Sequence, residues 1–407
     1  VNNAGVGAYA SVFDEDPEAF FDLVKSGGSW PLVHQGRKVG EIPARVLWER
    51  VVENALKGGE PGALNKYLAN RMSNIWYVEE LTSTNPCGEI GLSAYDCCCL
   101  SSLVLPRFVV GGEVDWAMLR DTVRTGVRFL DNVLSVNQYP LPEIQAKCSE
   151  LRRIGLGITG LHHMLLELGL KYNSPEGLEF VDKLMNKIKN WSYEASSDLA
   201  VEKGSFPAFD TDKFLKSGFT KTLKPSLRTQ IRKNGMRNCA VNTIAPVGTG
   251  SIVCDVSSAI EPIFAAAHTR RYQTGTQPDG TKVFGTEDLV DPMFQRFVAE
   301  GRDVTHFVGA HDLSIRDHME MQRVCQKHVD NAVSKTINVP HNTSVGELSE
   351  ILMEFLPELK GVTVYPDGSR ENQPLTPIPA ERALLLAKTA IAQASSADAC
   401  RTGTCDL

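Results

Sequence analysis

A chain of 407 residues, 42% hydrophobic and 22% charged, has the composition of a globular protein with a large buried core. Its formal net charge of −7 excludes the basic excess of a duplex nucleic-acid scaffold. No apolar run reaches the length of a membrane span and no signal peptide is visible, so the expectation is a cytoplasmic protein without membrane or nucleic-acid partners.

The chain opens Val1-Asn2-Asn3-Ala4-Gly5 without an initiator Met and runs into a strand-like segment over 6–13. It reads as the middle of a longer protein. Pro17 follows Asp16 as a first-turn proline follows a cap; Phe20, Phe21 and Val24 form an apolar face, and Gly27-Gly28 ends that helix. A second helix begins near Pro43, with Leu47, Val51 and Ala55 at i, i+4 and i+8. A third sets Trp116, Leu119, Val123, Val127 and Leu130 along one stripe. Ser174-Pro175-Glu176 opens a fourth, with Phe180, Leu184, Ile188 and Trp191 facing inward, and a fifth is expected over 321–333. Short β-branched runs at 102–105, 243–244, 335–339 and 361–365 fit buried strands. Residues 272–291, rich in Gly, Thr and Asp, read as a long loop, and the last dozen residues as a mobile tail. The alternation of helix and strand points to an α/β architecture without internal repeats.

Ten cysteines without a secretory signal argue for reduced thiols or redox chemistry. No Cys-x-x-Cys pair supports a zinc ribbon, and no metal set is assigned. The thiols are unevenly spread: Cys97, Cys98 and Cys99 are consecutive, Cys87 precedes them, and Cys400 and Cys405 sit at the end.

Two nucleotide-like motifs are read against a plainer meaning. Val-Asn-Asn-Ala-Gly resembles a short-chain dehydrogenase strand end, but none of the nine tyrosines has a Lys four residues later. Gly155-Leu156-Gly157-Ile158-Thr159-Gly160 matches GxGxxG, yet the residues before it are too polar for the strand that fingerprint requires. A tight turn feeding a helix over 161–168 is the expectation. Pro246-Val247-Gly248-Thr249-Gly250-Ser251 follows a strand and precedes a possible helix start. Its small residues let backbone N–H groups converge on an anion, and a plain turn fits equally well.

The centre of the sequence is Ser83-Thr84-Asn85-Pro86-Cys87-Gly88-Glu89. In an extended chain Asn85, Cys87 and Glu89 would point the same way, bringing together an amide, a thiol and a carboxylate. A neighbouring carboxylate raises a thiol pKa, so Cys87 is poorly served as an ionic nucleophile. A neutral thiol that loses a hydrogen atom fits better, and a structural role for the three residues fits as well.

Taken together these segments resemble the catalytic subunit of ribonucleotide reductase, closest to the adenosylcobalamin-dependent class. The resemblance rests on Gly59-Glu60-Pro61-Gly62, the run from Thr84 to Glu89, Asp131-Asn132-Val133, and Tyr139-Pro140-Leu141-Pro142-Glu143. It continues through 152–161, 243–251, 257–264, 330–340 and 361–370. It implies a ten-stranded α/β barrel of two five-stranded halves with a central finger loop over 1–385, and a mobile redox tail over 386–407. It also implies that a thiyl radical on Cys87 removes the 3′ hydrogen of the ribose, that Glu89 takes the 3′-hydroxyl proton, and that Asn85 holds the sugar hydroxyls. Alignment gives Cys98 as one of the two reducing thiols, Cys400 and Cys405 as the tail dithiol that re-reduces them, and Ser83, Thr84 and 246–251 as substrate contacts. The implied partners are a ribonucleotide, a thioredoxin- or glutaredoxin-like reductant and a second copy in a homodimer. The implied cofactor is adenosylcobalamin, the vitamin B12 coenzyme.

The sequence departs from the family in two places. No cysteine precedes Cys87 to serve as the other reducing thiol, so the expectation is a truncated piece that does not turn over by itself. Thr363-Val364-Tyr365-Pro366 carries one tyrosine where subunit-dependent reductases carry a pair, which favours the cobalamin class. Two alternatives remain: a large subunit served by a separate radical-generating subunit, and an inactive nucleotide-binding remnant.

Overall fold

The computed structural model describes residues 9–13, 15–97, 99–367 and 375–401. Four strands lie side by side in the order Tyr9–Phe13, Gly62–Asn65, Gly361–Pro366, Thr336–Val339. Tyr9–Phe13 is parallel to Gly62–Asn65, which meets Gly361–Pro366 antiparallel, and Gly361–Pro366 is parallel to Thr336–Val339. Parallel bridges carry the order onward, from Val333 to Ile244 and from Asn242 to Leu156. Gly155–Thr159 then pairs in parallel with Leu100–Val104. Among the described residues the order begins at Tyr9–Phe13, ends at Leu100–Val104 and does not close.

Helices cover this sheet in two groups. Pro17–Ser26, Ala44–Gly58 and Val345–Phe355 pack with the first strands around Phe20, Phe21, Trp48, Leu348 and Val364. Trp116–Val136, Pro175–Lys203 and Pro225–Asn234 pack with the last strands around Val123, Val127, Leu184, Ile188 and Ile158. The first-helix stripe is buried as expected, while Trp116, Phe180 and Trp191 at the edges of the third and fourth are only partly buried. The caps follow the sequence signals: the Asp16 carboxylate accepts from the Glu18 amide, and Gly27 closes the first helix at φ 77°. In the second helix the buried face is Ala44, Trp48, Val52 and Ala55, so the Leu47–Val51 stripe is off by one residue.

Three expectations are corrected. The GxGxxG run is itself a strand, Gly155–Thr159, buried along its whole length. The turn is confined to Gly160, at φ 79°, which starts the helix Leu161–Glu167. The reason is close approach: a Cβ on Gly157 would lie 2.5 Å from the Thr243 carbonyl oxygen, so only glycine lets these chains touch. Residues 272–291 are not a loop. Ala267–Thr276 and Lys282–Val290 form an antiparallel hairpin, whose mostly exposed strands lack the hydrophobic alternation that would have revealed them. The fifth helix runs over Ile315–Gln326, earlier than expected, because Ser314 and Asp317 form a capping box at its start. At the far end lies the helix Ala380–Arg401. Ala383 and Ala387 of that helix are buried beside Phe294.

Candidate functional site

Ser83–Thr84 and Gly91–Leu92 pair antiparallel and hold the residues between them as a tight loop. The Gly88 amide donates to the Asn85 carbonyl at 3.0 Å, and the Ile90 amide donates to the Asn85 side-chain oxygen at 3.0 Å. The loop therefore turns at Gly88, φ 81°, and the expected simple extended alternation of Asn85, Cys87 and Glu89 is broken there. The Asn85 side chain is partly spent on holding the loop closed, a role the sequence did not show.

The root of the loop is bound to the sheet through Glu89. Its carbonyl oxygen accepts from the Thr243 hydroxyl at 2.7 Å and from the Ala332 amide at 2.8 Å. Those two strands are tied together by Asp330, whose buried carboxylate accepts from the amides of Val241 at 2.7 Å and Asn242 at 2.8 Å and from the Tyr193 hydroxyl at 2.6 Å. The Lys360 ammonium donates to the carbonyls of Asp330 and Asn331. Burial pushes the Lys360 pKa down to about 8, opposed by the nearby Asp330 charge.

Cys87 is exposed at the tip, in a small cleft walled by Leu64, Val333, Ser334, Lys335, Gly361 and Thr363. Val362 and Val364 point the other way, into the helix-covered core. By the period of two along Gly361–Pro366, Tyr365 shares the side of Gly361 and Thr363. Glu89 is only 2% exposed, and its Oε2 is buried without a hydrogen-bond partner. An orphaned carboxylate oxygen is costly to bury, so it is held ready for a donor that arrives from elsewhere. The Cys87 thiol pKa is pushed up, first by burial and then by the Glu89 charge. The neutral thiol is thereby favoured. Glu89→Gln removes that charge, so the pH profile of Cys87 alkylation is expected to move to lower pH. A profile that stays in place would show that the carboxylate does not act on the thiol.

Val247 at φ 49° precedes the short helix Gly248–Val253. Gly248, Thr249 and Gly250 are exposed, and Ser251 is buried with its hydroxyl donating to the Gly248 carbonyl at 2.8 Å. Ser258 donates to the Pro246 carbonyl and steadies the loop from behind. The helix start has no side-chain cap hydrogen bond. Cys98 and Cys405 lie outside the described residues. Cys400 lies in the helix Ala380–Arg401, and its side chain is likewise outside them.

Sequence reasoning missed the supporting residues. Thr243 was read only as part of a strand, and neither Ala332 nor Asp330 carried a local signal beyond the resemblance. Their partners are far apart in sequence, and only the sheet order brings them to Glu89.

Comparison with known proteins places the chain in a family. A family model described as "Ribonucleotide reductase, barrel domain" matches residues 17–365. The vitamin B12-dependent ribonucleoside-diphosphate reductase of Mycobacterium tuberculosis (strain CDC 1551 / Oshkosh) is 34% identical over 379 residues, covering 88% of this chain and 52% of that protein. The enzyme of the same name from Thermoplasma acidophilum is 34% identical over 392 residues, covering 92% and 48%. The ribonucleoside-diphosphate reductase subunit alpha of Chlamydia pneumoniae is 30% identical over 283 residues, covering 63% and 26%. The chain spans about half the length of the first two relatives.

Proposed function

The chain belongs to the ribonucleotide reductase family through its barrel domain, and from that premise we propose that it houses the radical centre that reduces ribonucleotides to 2′-deoxyribonucleotides, with Cys87 as the hydrogen-abstracting thiol. The observation that carries this reading is the Cys87–Glu89 arrangement: a thiol biased towards its neutral form beside a buried carboxylate with a vacant acceptor oxygen. Ionic catalysis would need a lowered thiol pKa. Hydrogen-atom transfer does not.

In this mechanism the thiyl form of Cys87 takes the hydrogen atom from C3′ of the ribose. Glu89 Oε2 accepts the proton of the 3′-hydroxyl and gives it back to that oxygen before the product leaves. The 2′-hydroxyl leaves as water, and two thiols, Cys98 being one, become a disulfide as they supply two electrons and two protons. Cys87 then returns its hydrogen atom to C3′. Asn85 contributes by holding the loop closed and orienting the sugar hydroxyls. Val247 to Ser251 receive the phosphates at the uncapped helix start. The substrate class follows the names of the B12-dependent relatives, ribonucleoside diphosphates.

The same names support adenosylcobalamin as the radical source, and the residues present fit it. Cys87 is exposed to the cleft and held as a thiol, which is the form that can give up a hydrogen atom. When bound, the cofactor supplies a carbon-centred radical by homolysis of its cobalt–carbon bond. Tyr365 is the lone tyrosine at the place where a two-tyrosine relay would be needed, which favours this local source over a separate subunit. A ten-stranded closed barrel, a C-terminal dithiol at Cys400 and Cys405, a thioredoxin- or glutaredoxin-like reductant and a homodimer belong to the same reading.

The test uses a turnover-competent preparation containing this chain, given a ribonucleoside diphosphate carrying deuterium at C3′, adenosylcobalamin and a dithiol. A slowing of deoxynucleotide formation by deuterium, together with retention of deuterium at C3′ of the product, is expected. Product formed with complete loss of the label to solvent would overturn the return of the same hydrogen by Cys87.

A further inference from the structure

Outside the Cys87 cleft, two thiols from distant parts of the chain meet. Cys97 Sγ and Cys148 Sγ are 3.1 Å apart, about 1 Å beyond the length of a disulfide bond, which is about 2.05 Å. We propose that Cys97 and Cys148 form a second redox pair, independent of the Cys87 radical chemistry, that closes to a disulfide by exchange with a low-molecular-weight disulfide.

The two sulfurs are held in place by their backbones. Cys148 lies in the last turn of the helix Pro142–Leu151 and is 3% exposed. Cys97 is partly exposed just before the strand Leu100–Val104. The Cys97 amide donates to Asp96 Oδ1 at 2.9 Å, and Asp96 Oδ2 accepts from Arg153 Nε at 2.7 Å. Arg153 lies two residues past the end of the Cys148 helix, so this ion pair fastens the two segments beside the sulfurs. The Arg153 guanidinium also reaches Glu79 at 3.0 Å, which limits sliding of the joint. The hydrogen bond shared with Cys97 lowers the Cys148 pKa, with a smaller contribution from the Tyr139 phenol against the cost of burial.

Exposure assigns the roles. The Cys97 thiol loses its proton and attacks one sulfur of the incoming disulfide, here oxidised glutathione, releasing one glutathione thiolate and leaving a mixed disulfide. The buried Cys148 loses its proton and attacks Cys97 Sγ, forming the internal disulfide and expelling the second glutathione thiolate. The two protein protons pass to the two thiolates, and the protein loses two electrons to the glutathione disulfide. The closed pair removes Cys97 from thiol exchange with the adjacent Cys98.

The 407-residue chain is incubated with oxidised glutathione, its remaining thiols are alkylated, and the digest is mapped without reduction. A Cys148 peptide linked to the peptide containing residues 97–99 is expected. The link should persist in Cys98→Ser and Cys99→Ser and vanish in Cys97→Ser. Cys148→Ser should instead keep a glutathione adduct on Cys97, because the resolving thiol is gone. Recovery of Cys148 fully alkylated in the folded wild-type chain overturns the proposal. So does a link that survives Cys97→Ser and is lost in Cys98→Ser. Circular dichroism of Cys97→Ser, which changes a partly exposed side chain, shows that loss of the link is not loss of the fold.

Discussion

Cys87→Ser is expected to lower deoxynucleotide formation by roughly 10⁴-fold or more in a turnover-competent preparation, while nucleotide affinity stays within about twofold. Serine preserves the shape of the loop tip, and the contacts of Asn85, Glu89 and Ile90 do not involve the sulfur. What changes is the bond to hydrogen. An alcohol O–H is much stronger than a thiol S–H, so a radical that can take hydrogen from Cys87 cannot take it from serine. Product formation and equilibrium nucleotide binding, measured on the same preparation, separate this from a folding defect. Retention of a tenth of the wild-type turnover would falsify the assignment of Cys87 as the radical thiol.

The largest structural effect is expected at Asp131. Its carboxylate is completely buried and meets three cations: Arg152 Nε at 2.8 Å, Arg237 Nε at 3.1 Å and Lys203 Nζ at 3.2 Å. Arg152 ends the helix Pro142–Leu151 in the left-handed region, at φ 50°, so its side chain is directed back to Asp131 by an unusual backbone. Asp131→Ala leaves buried guanidinium groups without their anion. A loss of about 3–5 kcal/mol of unfolding free energy is expected, readable by denaturant titration. Breaking the exposed Arg128–Glu202 pair, 2.6 Å apart between the helices Trp116–Val136 and Pro175–Lys203, should barely move the curve, because water screens it. Equal effects of the two changes would show that Asp131 is not the hub of its cluster.

The legible parts of this chain were those with local causes. Asp16, Pro17 and Gly27 mark a helix by capping chemistry that acts within a few residues, and the structure has that helix. The stripe from Trp116 to Leu130 is equally local in origin. Burial contributes most to the rise in the Cys87 pKa, and only the smaller Glu89 contribution was legible, because Glu89 is two residues away. Features set by distant neighbours were misread or unseen. Gly155 and Gly157 look like turn residues until Thr243 is known to lie against them. The hairpin over 267–290 has little core-facing pattern, so its strands carry no hydrophobic period. Cys97 and Cys148 are ordinary cysteines in sequence, and their pairing depends on how a helix meets a strand. The finger-loop residues themselves were visible as a group, but the hydroxyl and amide that fix Glu89 were not.

The junction of Glu89 with Thr243 and Ala332 has a mechanical consequence. The segment carrying Cys87 is a short loop, closed across its ends by the Ser83–Thr84 and Gly91–Leu92 pairing and clamped to the sheet through the Glu89 carbonyl, with Cys87 exposed at its tip. A clamped beam transmits displacement of its support to its tip with little loss. A shift of the two strands of a few tenths of an ångström would therefore carry the sulfur with it. Radical transfer tolerates misplacement of only about this size, on the order of 0.5 Å. A ligand that altered the spacing of these two segments would shift Cys87 without touching it.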